Sequence, residues 1–169
     1  MSVRRAIPDD AAAIARVHVA SWQAAYKDLL PTDLLAGLNV ERRKLGWQRI
    51  LQDETQDAFV FENAGEVVAF TNLGPCRDDD KEAAAVAELM TLYALPEVWG
   101  RGVGKALWEA DLTALREHKY REVTLWVLDG NERALHFYRA AGFEADGVTK
   151  TETWREDVTI LERRLARPV

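Results

Sequence analysis

The residues best suited to chemistry in this sequence are three glycines and two cations within residues 99–105. They are Gly100, Gly102 and Gly104, with Arg101 and Lys105 among them. An apolar, strand-like segment ends before them at Pro96, and apolar residues at helical spacing follow them. A turn that opens a helix leaves backbone N–H groups unpaired at the positive end of the helix dipole. The sequence therefore predicts an anion-binding site that suits a phosphate group.

Two familiar phosphate-binding motifs do not fit this turn. The dinucleotide fingerprint G-x-G-x-x-G requires a glycine three positions after Gly102, where the chain has Lys105. The nucleotide loop G-x-x-x-x-G-K-[ST] requires a glycine at Trp99 and a Ser or Thr at Ala106. The turn therefore belongs to another class of phosphate loop, or it is a structural link between a strand and a helix.

A second motif lies one predicted strand further along the chain. Residues 131–143 follow the pattern N-x-x-A-x-x-F-Y-x-x-x-G-F. In their order and spacing, the two motifs resemble the signatures of the GNAT superfamily of N-acetyltransferases. Residues 99–104 are similar to its acyl-CoA pyrophosphate loop, [Q/R]-x-x-G-x-[G/A], with Trp99 in place of the usual Gln or Arg. Residues 18–31 are similar to a common bacterial branch, so the resemblance covers almost the whole chain.

The apolar patterns predict the elements that must position these motifs. Their order is β, two or three helices, β-β-β, α, β, α, β-β, which describes a mixed α/β sandwich. Residues 57–62 and 66–71 are predicted to form a hairpin, and the helix after the glycine turn to run to about Lys119. The resemblance implies a central mixed, mostly antiparallel sheet of about seven strands flanked by helices. We expect a single domain over residues 1–169.

The resemblance implies acetyl-CoA as the cosubstrate and no metal. In the family, the strand before the loop pairs with the pantetheine arm, and by offset these positions are Leu92 and Ala94. Asn131, at the start of the next helix, would hydrogen-bond the same arm, although it is also a suitable helix N-cap. The pyrophosphate would be held by Arg101, Gly102, Val103, Gly104 and Lys105.

The implied reaction is direct attack of a neutral amine on a thioester. An amine with a pKa of ~10 is an ammonium ion at neutral pH, so it must first lose a proton. Glu88 is the candidate base, at an offset where some family members carry a glutamate. Its ordinary pKa of ~4.3 requires that burial raise it, that desolvation lower the pKa of the amine, or that water relay the proton. Glu88 as a structural carboxylate is an open alternative.

The resemblance also implies that Tyr138 reaches the sulfur of the leaving thiol and acts as the general acid. A phenol with a pKa of ~10 is a weaker acid than a thiol at ~8.5. We therefore expect Tyr138 mainly to hydrogen-bond the developing thiolate and to deliver its proton late. A backbone N–H within residues 92–94 would stabilise the oxyanion. Tyr138 also lies on an apolar helix face, which leaves a core position as the alternative.

Four aromatic residues from separate elements are predicted to surround the acceptor amine. They are Trp22, Tyr26, Tyr93 and Trp154. Aromatic faces attract cations, so such walls would suit a small or terminal amine rather than an extended tail. The alternative is that these rings belong to the core. His18 is interpreted as a packed histidine, and the cationic residues 42–44 as a solvated face.

Composition limits the remaining function classes. The formal net charge of −6 argues against nucleic acid as a partner. No apolar run reaches the length of a membrane span, the N-terminus lacks the apolar core of a signal peptide, and Cys76 is the single cysteine. We expect a cytoplasmic N-acetyltransferase, without a membrane partner, that acetylates a primary amine of a small molecule or a peptide terminus. A non-catalytic acyl-CoA-binding module, another acyl donor, a protein acceptor and a homodimer stay open.

Overall fold

In the computed structural model, which describes residues 2–169, seven strands form one sheet. The strands are β1 (Ser2–Arg5), β2 (Asp57–Asn63), β3 (Glu66–Pro75), β4 (Val86–Ala94), β5 (Glu122–Leu128), β6 (Glu144–Arg155) and β7 (Val158–Pro168). They lie in the order β1-β2-β3-β4-β5-β7-β6. Every neighbouring pair is antiparallel except β4 and β5, which run parallel. The predicted mixed, mostly antiparallel sheet is confirmed.

Within the same residues, five α-helices accompany the sheet. They are α1 (Ala11–Ala25), α2 (Thr32–Ala36), α3 (Val40–Ile50), α4 (Val103–Glu117) and α5 (Glu132–Ala140). α1 and α3 pack together on one face of the sheet, where Phe70 and Trp47 are buried. α4 covers the opposite face, where Ala69 packs with Leu107. Successive strand residues point to opposite faces, so Ala69 and Phe70 bury against different helices. No helix in residues 2–169 is long and apolar enough to cross a membrane.

One strand and one helix end at residues other than those predicted. β3 continues to Pro75, past the predicted end at Thr71, because it is paired with β2 on one side and β4 on the other. α4 ends at Glu117, before the predicted Lys119, which adopts a left-handed φ of 61°. The predicted hairpin of β2 and β3 and the order of the elements are confirmed.

The central strands β4 and β5 pair over only part of their length. Residues 86–88 of β4 pair with residues 122–124 of β5, and no further pair joins these strands in the described part of the chain. Next to this point, the register between β3 and β4 shifts, so that Asn72 faces Thr91 whereas Leu73 faces Leu89. Met90 is therefore the extra residue of a β-bulge. Beyond the bulge, one edge of β4 is left without a strand partner.

His18 is buried between the helices and the sheet, so its interpretation as a packed histidine is confirmed. Its side chain is 6% exposed, and Trp47 Nε1 donates a hydrogen bond to its Nδ1 at 3.1 Å. Burial, and then the nearby charge of Arg43, lower the pKa of His18 to about 3. His18 is therefore neutral at pH 7, and its proton is on Nε2 because Nδ1 accepts.

This buried neutral histidine makes the free energy of unfolding depend on pH. The pKa of His18 is about 3 in the folded state and ~6.5 in the unfolded state, so the unfolded state binds more protons between these values. Its stabilising contribution is complete above pH ~6.5 and is lost progressively as the pH falls towards the folded pKa. When the pH is lowered from 7 to 5, His18 becomes protonated in the unfolded state only. We expect this to lower the free energy of unfolding by about 2 kcal/mol, measured by urea denaturation.

The matched control is His18→Gln, which keeps a polar side chain but does not titrate. Its free energy of unfolding should change less than that of the wild type over the same pH interval. Equal pH dependence of the two proteins would contradict a neutral, buried His18.

Candidate active site

The gap between β4 and β5 opens into a cavity of about 410 Å³, which we call the cleft. One wall is the unpaired end of β4, residues 89–94, and Trp126 and Val127 of β5 contribute to the lining. The glycine turn, the first turn of α4, the first two turns of α5 and the C-terminal end of α1 complete it. The two sequence motifs, separated along the chain by β5, thus meet at one cleft.

The glycine turn has the backbone conformation that an anion-binding site requires. Gly100 and Gly102 adopt left-handed φ angles of 71° and 81°, which cost other residues roughly 1–2 kcal/mol. Gly102 is the N-cap of α4 and offers no side chain to the first N–H groups of the helix. Residues 103–105 therefore present free N–H groups at the positive end of the dipole of a 15-residue helix.

Gly104 allows the two motifs to approach each other closely. A Cβ atom at this position would lie 3.2 Å from Cε2 of Phe137 on α5, which is tighter than ordinary packing. The two cations of the turn differ in placement: Lys105 lines the cleft, whereas Arg101 is exposed outside its lining. That Arg101 and Lys105 bind phosphate stays a prediction.

The backbone of β4 directs hydrogen-bonding groups into the cleft. The Leu95 N–H donates to the Val68 carbonyl at 2.9 Å, so Leu95 faces β3. Because backbone groups of successive strand residues alternate in direction, those of Ala94 and Leu92 face the cleft. Neither residue pairs with β5 in the residues described. Both positions thus have the orientation required to pair with an extended ligand, and that pairing stays a prediction.

Trp99 stands where the usual loop pattern has Gln or Arg, and its side chain connects the glycine turn to β4. Its Nε1 donates a hydrogen bond to the Ala94 carbonyl at 2.8 Å, and Ser21 Oγ donates to the same carbonyl at 3.0 Å. The guanidinium of Arg133 on α5 lies 3.2 Å from the centroid of the Trp99 ring. This cation–π contact joins the two motifs at the cleft. Sequence reasoning missed Arg133, because its signal is the tertiary contact with an unusual tryptophan.

Asn131 and Tyr138 both line the cleft, on the side formed by α5. Asn131 is the N-cap of α5: its Oδ1 accepts a hydrogen bond from the Ala134 N–H at 3.2 Å. Its Nδ2 has no protein acceptor among residues 2–169, so the capping role leaves a donor free for a ligand. The N-cap prediction is confirmed, and the ligand contact stays a prediction.

Tyr138 combines an apolar ring environment with a hydroxyl that no described protein group binds. Its ring packs edge-on against Phe137 and Phe143, at 5.3 and 5.7 Å between centroids. Burial, and then proximity to Tyr93 and Asp111, raise the pKa of the Tyr138 hydroxyl. The phenol therefore stays neutral and able to donate a hydrogen bond through the physiological pH range.

Glu88 lies at the end of the paired segment of β4 and is only 3% exposed. Both of its carboxylate oxygens accept hydrogen bonds from Arg77, at 2.9 Å from Nε and 2.6 Å from an Nη. It is absent from the lining of the cleft. These contacts fit a structural carboxylate, and its role as a base stays a prediction. Within residues 2–169, no group of three His, Cys, Asp or Glu side chains is arranged to hold a metal ion.

The four predicted aromatic residues do come together. The Trp22 ring lies 5.2 Å from Tyr26, 6.3 Å from Tyr93 and 5.3 Å from Trp154, on which it stacks. Only Tyr26 and Tyr93 line the cleft, however, and Tyr26 is buried in an apolar cluster against which Trp22 and Trp154 pack. The rings are thus largely packed against one another, and their contact with an acceptor stays a prediction.

A second cavity, of about 700 Å³, borders the bulge of β4 on the side of α1 and α3. We call it the arginine cavity, because its lining includes Arg42, Arg43 and Arg77. Met90 and Thr91 line both this cavity and the cleft. Residues 42–44 were predicted to form a solvated face, and for Arg43 this is wrong: α3 turns its side chain against the Trp22 ring, where it is half-buried.

Comparisons with known proteins agree with this geometry. The model of the acetyltransferase (GNAT) family matches residues 15–143, which contain both motifs. The chain is 30% identical over 141 residues to an uncharacterized N-acetyltransferase of Bacillus subtilis (strain 168), YuaI. That alignment covers 83% of this chain and 78% of YuaI.

Solved structures share the whole architecture. The PaiA N-acetyltransferase of Thermoplasma acidophilum, solved in complex with coenzyme A, matches with a TM-score of 0.77 and 17% identity over 99% of this chain and 98% of that one. YncA of Salmonella typhimurium, solved with its cofactor acetyl-CoA, matches with a TM-score of 0.75 and 17% identity over 99% of this chain and 93% of that one. At 17% identity, these two structures show only that the fold is shared. The family model, by contrast, matches the sequence itself over residues 15–143. The chain belongs to the acetyltransferase (GNAT) family.

Proposed function

We propose that this protein transfers the acetyl group of acetyl-CoA to a primary amine, by direct attack of the amine on the thioester in the cleft. The observation that carries the proposal is the meeting of three groups at the cleft: the free N–H groups of the glycine turn, Asn131 and Tyr138. Membership of the acetyltransferase (GNAT) family and the ligands of two similar folds, coenzyme A and acetyl-CoA, support it.

The residues around the cleft fit the parts of acetyl-CoA, which supplies an acetyl group activated as a thioester. The N–H groups of residues 102–105, with Arg101 and Lys105 beside them, would hold the pyrophosphate. The backbone of Leu92 and Ala94 would pair with the pantetheine arm, and Asn131 Nδ2 would donate to the same arm. A β4 N–H within residues 92–94 would stabilise the oxyanion.

Tyr138 would serve the departing sulfur. Its raised pKa keeps the hydroxyl protonated, which suits a hydrogen-bond donor better than an acid that gives up its proton early. Because a thiol at ~8.5 is the stronger acid, proton transfer from the phenol would follow cleavage of the thioester bond rather than precede it. Tyr138 would thus stabilise developing negative charge on sulfur.

The acceptor amine must lose a proton before it attacks. Glu88 is one candidate base, but both of its oxygens already bind Arg77. A water molecule in the open cleft is the other route, and the contacts of Glu88 favour this route. In either case the lone pair of the amine forms the new C–N bond, and the thiolate leaves with the electrons of the C–S bond.

A homodimer stays open. We propose that residues 1–169 act as one cytoplasmic domain on a small-molecule amine or a peptide terminus. The rings of Trp22, Tyr26, Tyr93 and Trp154 would border that amine.

The role of Tyr138 can be tested with Tyr138→Phe, which removes the hydroxyl and keeps the packed ring. A hydrogen bond to a charged group contributes about 1.5–3 kcal/mol, so we expect kcat to fall about 10- to 100-fold. The KM for acetyl-CoA should change less than twofold, because the ring still lines the cleft. The measurement is steady-state release of CoA thiol with an active amine.

The matched control for this variant is Tyr120→Phe, a change at a tyrosine that lines neither cavity. Its kcat should equal that of the wild type. If Tyr138→Phe also retains the kcat of the wild type, Tyr138 is a core aromatic and water protonates the thiolate.

The anion-binding role of the glycine turn can be tested with Gly102→Ala. At φ 81°, an added Cβ meets no neighbour but strains the backbone, so the turn shifts and its N–H groups lose alignment. We expect the Kd for CoA, measured by calorimetry, to rise about tenfold or more, because hydrogen bonds to a charged group weaken.

The control for this variant is Gly147→Ala in β6, where φ is 87° and an added Cβ also meets nothing. It should lower stability by a similar amount and leave the Kd for CoA unchanged. An equal loss of CoA affinity in both variants would show that strain alone, rather than the cradle, is responsible.

A further inference from the structure

We propose that the arginine cavity binds an anionic group of the acceptor, so that the substrate is an amine with a carboxylate or a phosphoryl group a few atoms from its nitrogen. The inference rests on the proposed function, because it places the reacting amine where this cavity meets the cleft. The observation behind this placement is that Met90 and Thr91 line both cavities. The aromatic cluster and the cations would then recognise the two ends of a zwitterion.

The charge of the lining is the first argument. The whole chain carries a formal net charge of −6, yet the lining of this cavity has three arginines and no Asp or Glu, and only Arg77 of the three is paired with a carboxylate of the described residues, that of Glu88. An acidic protein that gathers cations at one concave site creates a local positive potential there. Arginine also matches carboxylate and phosphoryl oxygens with two parallel hydrogen bonds.

Arg43 supplies the second argument. It is half-buried, and its guanidinium lies 5.1 Å from the centroid of the Trp22 ring. Among residues 2–169, no carboxylate forms a salt bridge with Arg42 or Arg43. Burial, opposed only in part by Tyr93, lowers the pKa of Arg43. A partly desolvated cation without a counter-charge is unfavourable, and an anionic ligand would supply the missing partner.

Arg77 adds a guanidinium that is already oriented. Its Nε and one Nη bind Glu88, which is itself buried. The remaining N–H donors of Arg77 have no carboxylate partner in the described residues, and its side chain is 67% exposed. The ion pair thus fixes a fork of donors at the edge of the arginine cavity. In this arrangement Glu88 is a positioning residue.

Neutral donors in the same lining are also unpaired. His18 is neutral, with Nδ1 occupied by Trp47, and its buried Nε2–H has no partner among the described residues. The Thr91 hydroxyl is likewise buried and unpartnered in residues 2–169. Buried polar atoms are normally hydrogen-bonded. Both residues line the cavity, His18 from α1 and Thr91 from β4, but their unpaired atoms are buried and not open to it, so the inference rests on the arginines.

The first arm of the test measures anion binding without catalysis. With CoA at saturation, so that the glycine turn is occupied, inorganic phosphate at several times its Kd should raise the Tm of the wild type by about 2–4 °C. Arg43→Gln should abolish this rise, and Arg43→Lys should retain part of it. Arg49→Gln, at an arginine of α3 outside the lining, should behave as the wild type.

The second arm measures substrate preference. Thiol release is followed with matched amines: amino acids of increasing chain length, their carboxamides, and the corresponding aminoalkyl phosphonates. We expect kcat/KM at least tenfold higher for an anionic member than for its carboxamide, and Arg43→Gln to reduce that ratio about tenfold with the KM for acetyl-CoA unchanged. Comparison of kcat/KM between the amino acids and the aminoalkyl phosphonates shows whether the cavity prefers a carboxylate or a phosphoryl group.

The outcomes separate this inference from the function on which it rests. If phosphate stabilises the wild type but not Arg43→Gln, and no amine in the panel releases thiol, the anion site stands and the proposed acetyl transfer fails. If amines are acetylated without preference for an anionic group, and phosphate shifts the Tm of Arg43→Gln as it does that of the wild type, the anion site is wrong and the acetyl transfer stands.

Discussion

The early end of the pairing between β4 and β5 is the constraint on which the rest of the site depends. The two strands share only the pairs of residues 86–88 with 122–124. Further along, β4 keeps β3 on one side and on the other turns towards the cleft backbone groups that no strand pairs in the described residues, among them the N–H groups of Leu92 and Ala94. Such groups must be satisfied by water or by a ligand. The sheet thereby provides a binding edge in its interior, where helices and loops from both faces can reach it.

Partners on either side hold the two strands apart. β5 pairs with β7 along its whole length, and β4 pairs with β3, so neither strand is free to close the gap. Gly104 lets Phe137 pack at the first turn of α4, and Trp99 links the turn to both Ala94 and Arg133. These contacts fix the glycine turn relative to the unpaired edge. The arginine cavity shares Met90 and Thr91 of β4 with the lining of the cleft, so the two cavities border the same stretch of this strand.

Local signals made part of this site predictable from the sequence. Gly102 and Asn131 act through the conformation and capping of their own helix ends, and both effects depend on neighbours within a few residues. The sheet could be expected because alternating apolar residues and hairpin turns are also local. Pairing on both sides of β3, by contrast, extended it past its predicted end at Thr71.

The features of the site that could not be predicted from the sequence depend on contacts between distant parts of the chain. Nothing local to Glu88 shows that Arg77 binds both of its oxygens. Three consecutive cations usually face solvent, and only the packing of α3 against α1 brings Arg43 onto Trp22. The four aromatic rings could be expected to meet, but whether they form a wall or a packed cluster is decided by neighbours such as Leu30 and Leu35.

Amide hydrogen exchange at β4 tests the central claim most directly, because that claim is that a ligand completes the unpaired edge of this strand. The account predicts that saturating CoA slows exchange at the N–H groups of Leu92 and Ala94 by tenfold or more. Leu95 serves as the internal reference, because its N–H already donates to the Val68 carbonyl. Unchanged exchange at Leu92 and Ala94, in a protein that calorimetry shows to be saturated with CoA, would contradict the account.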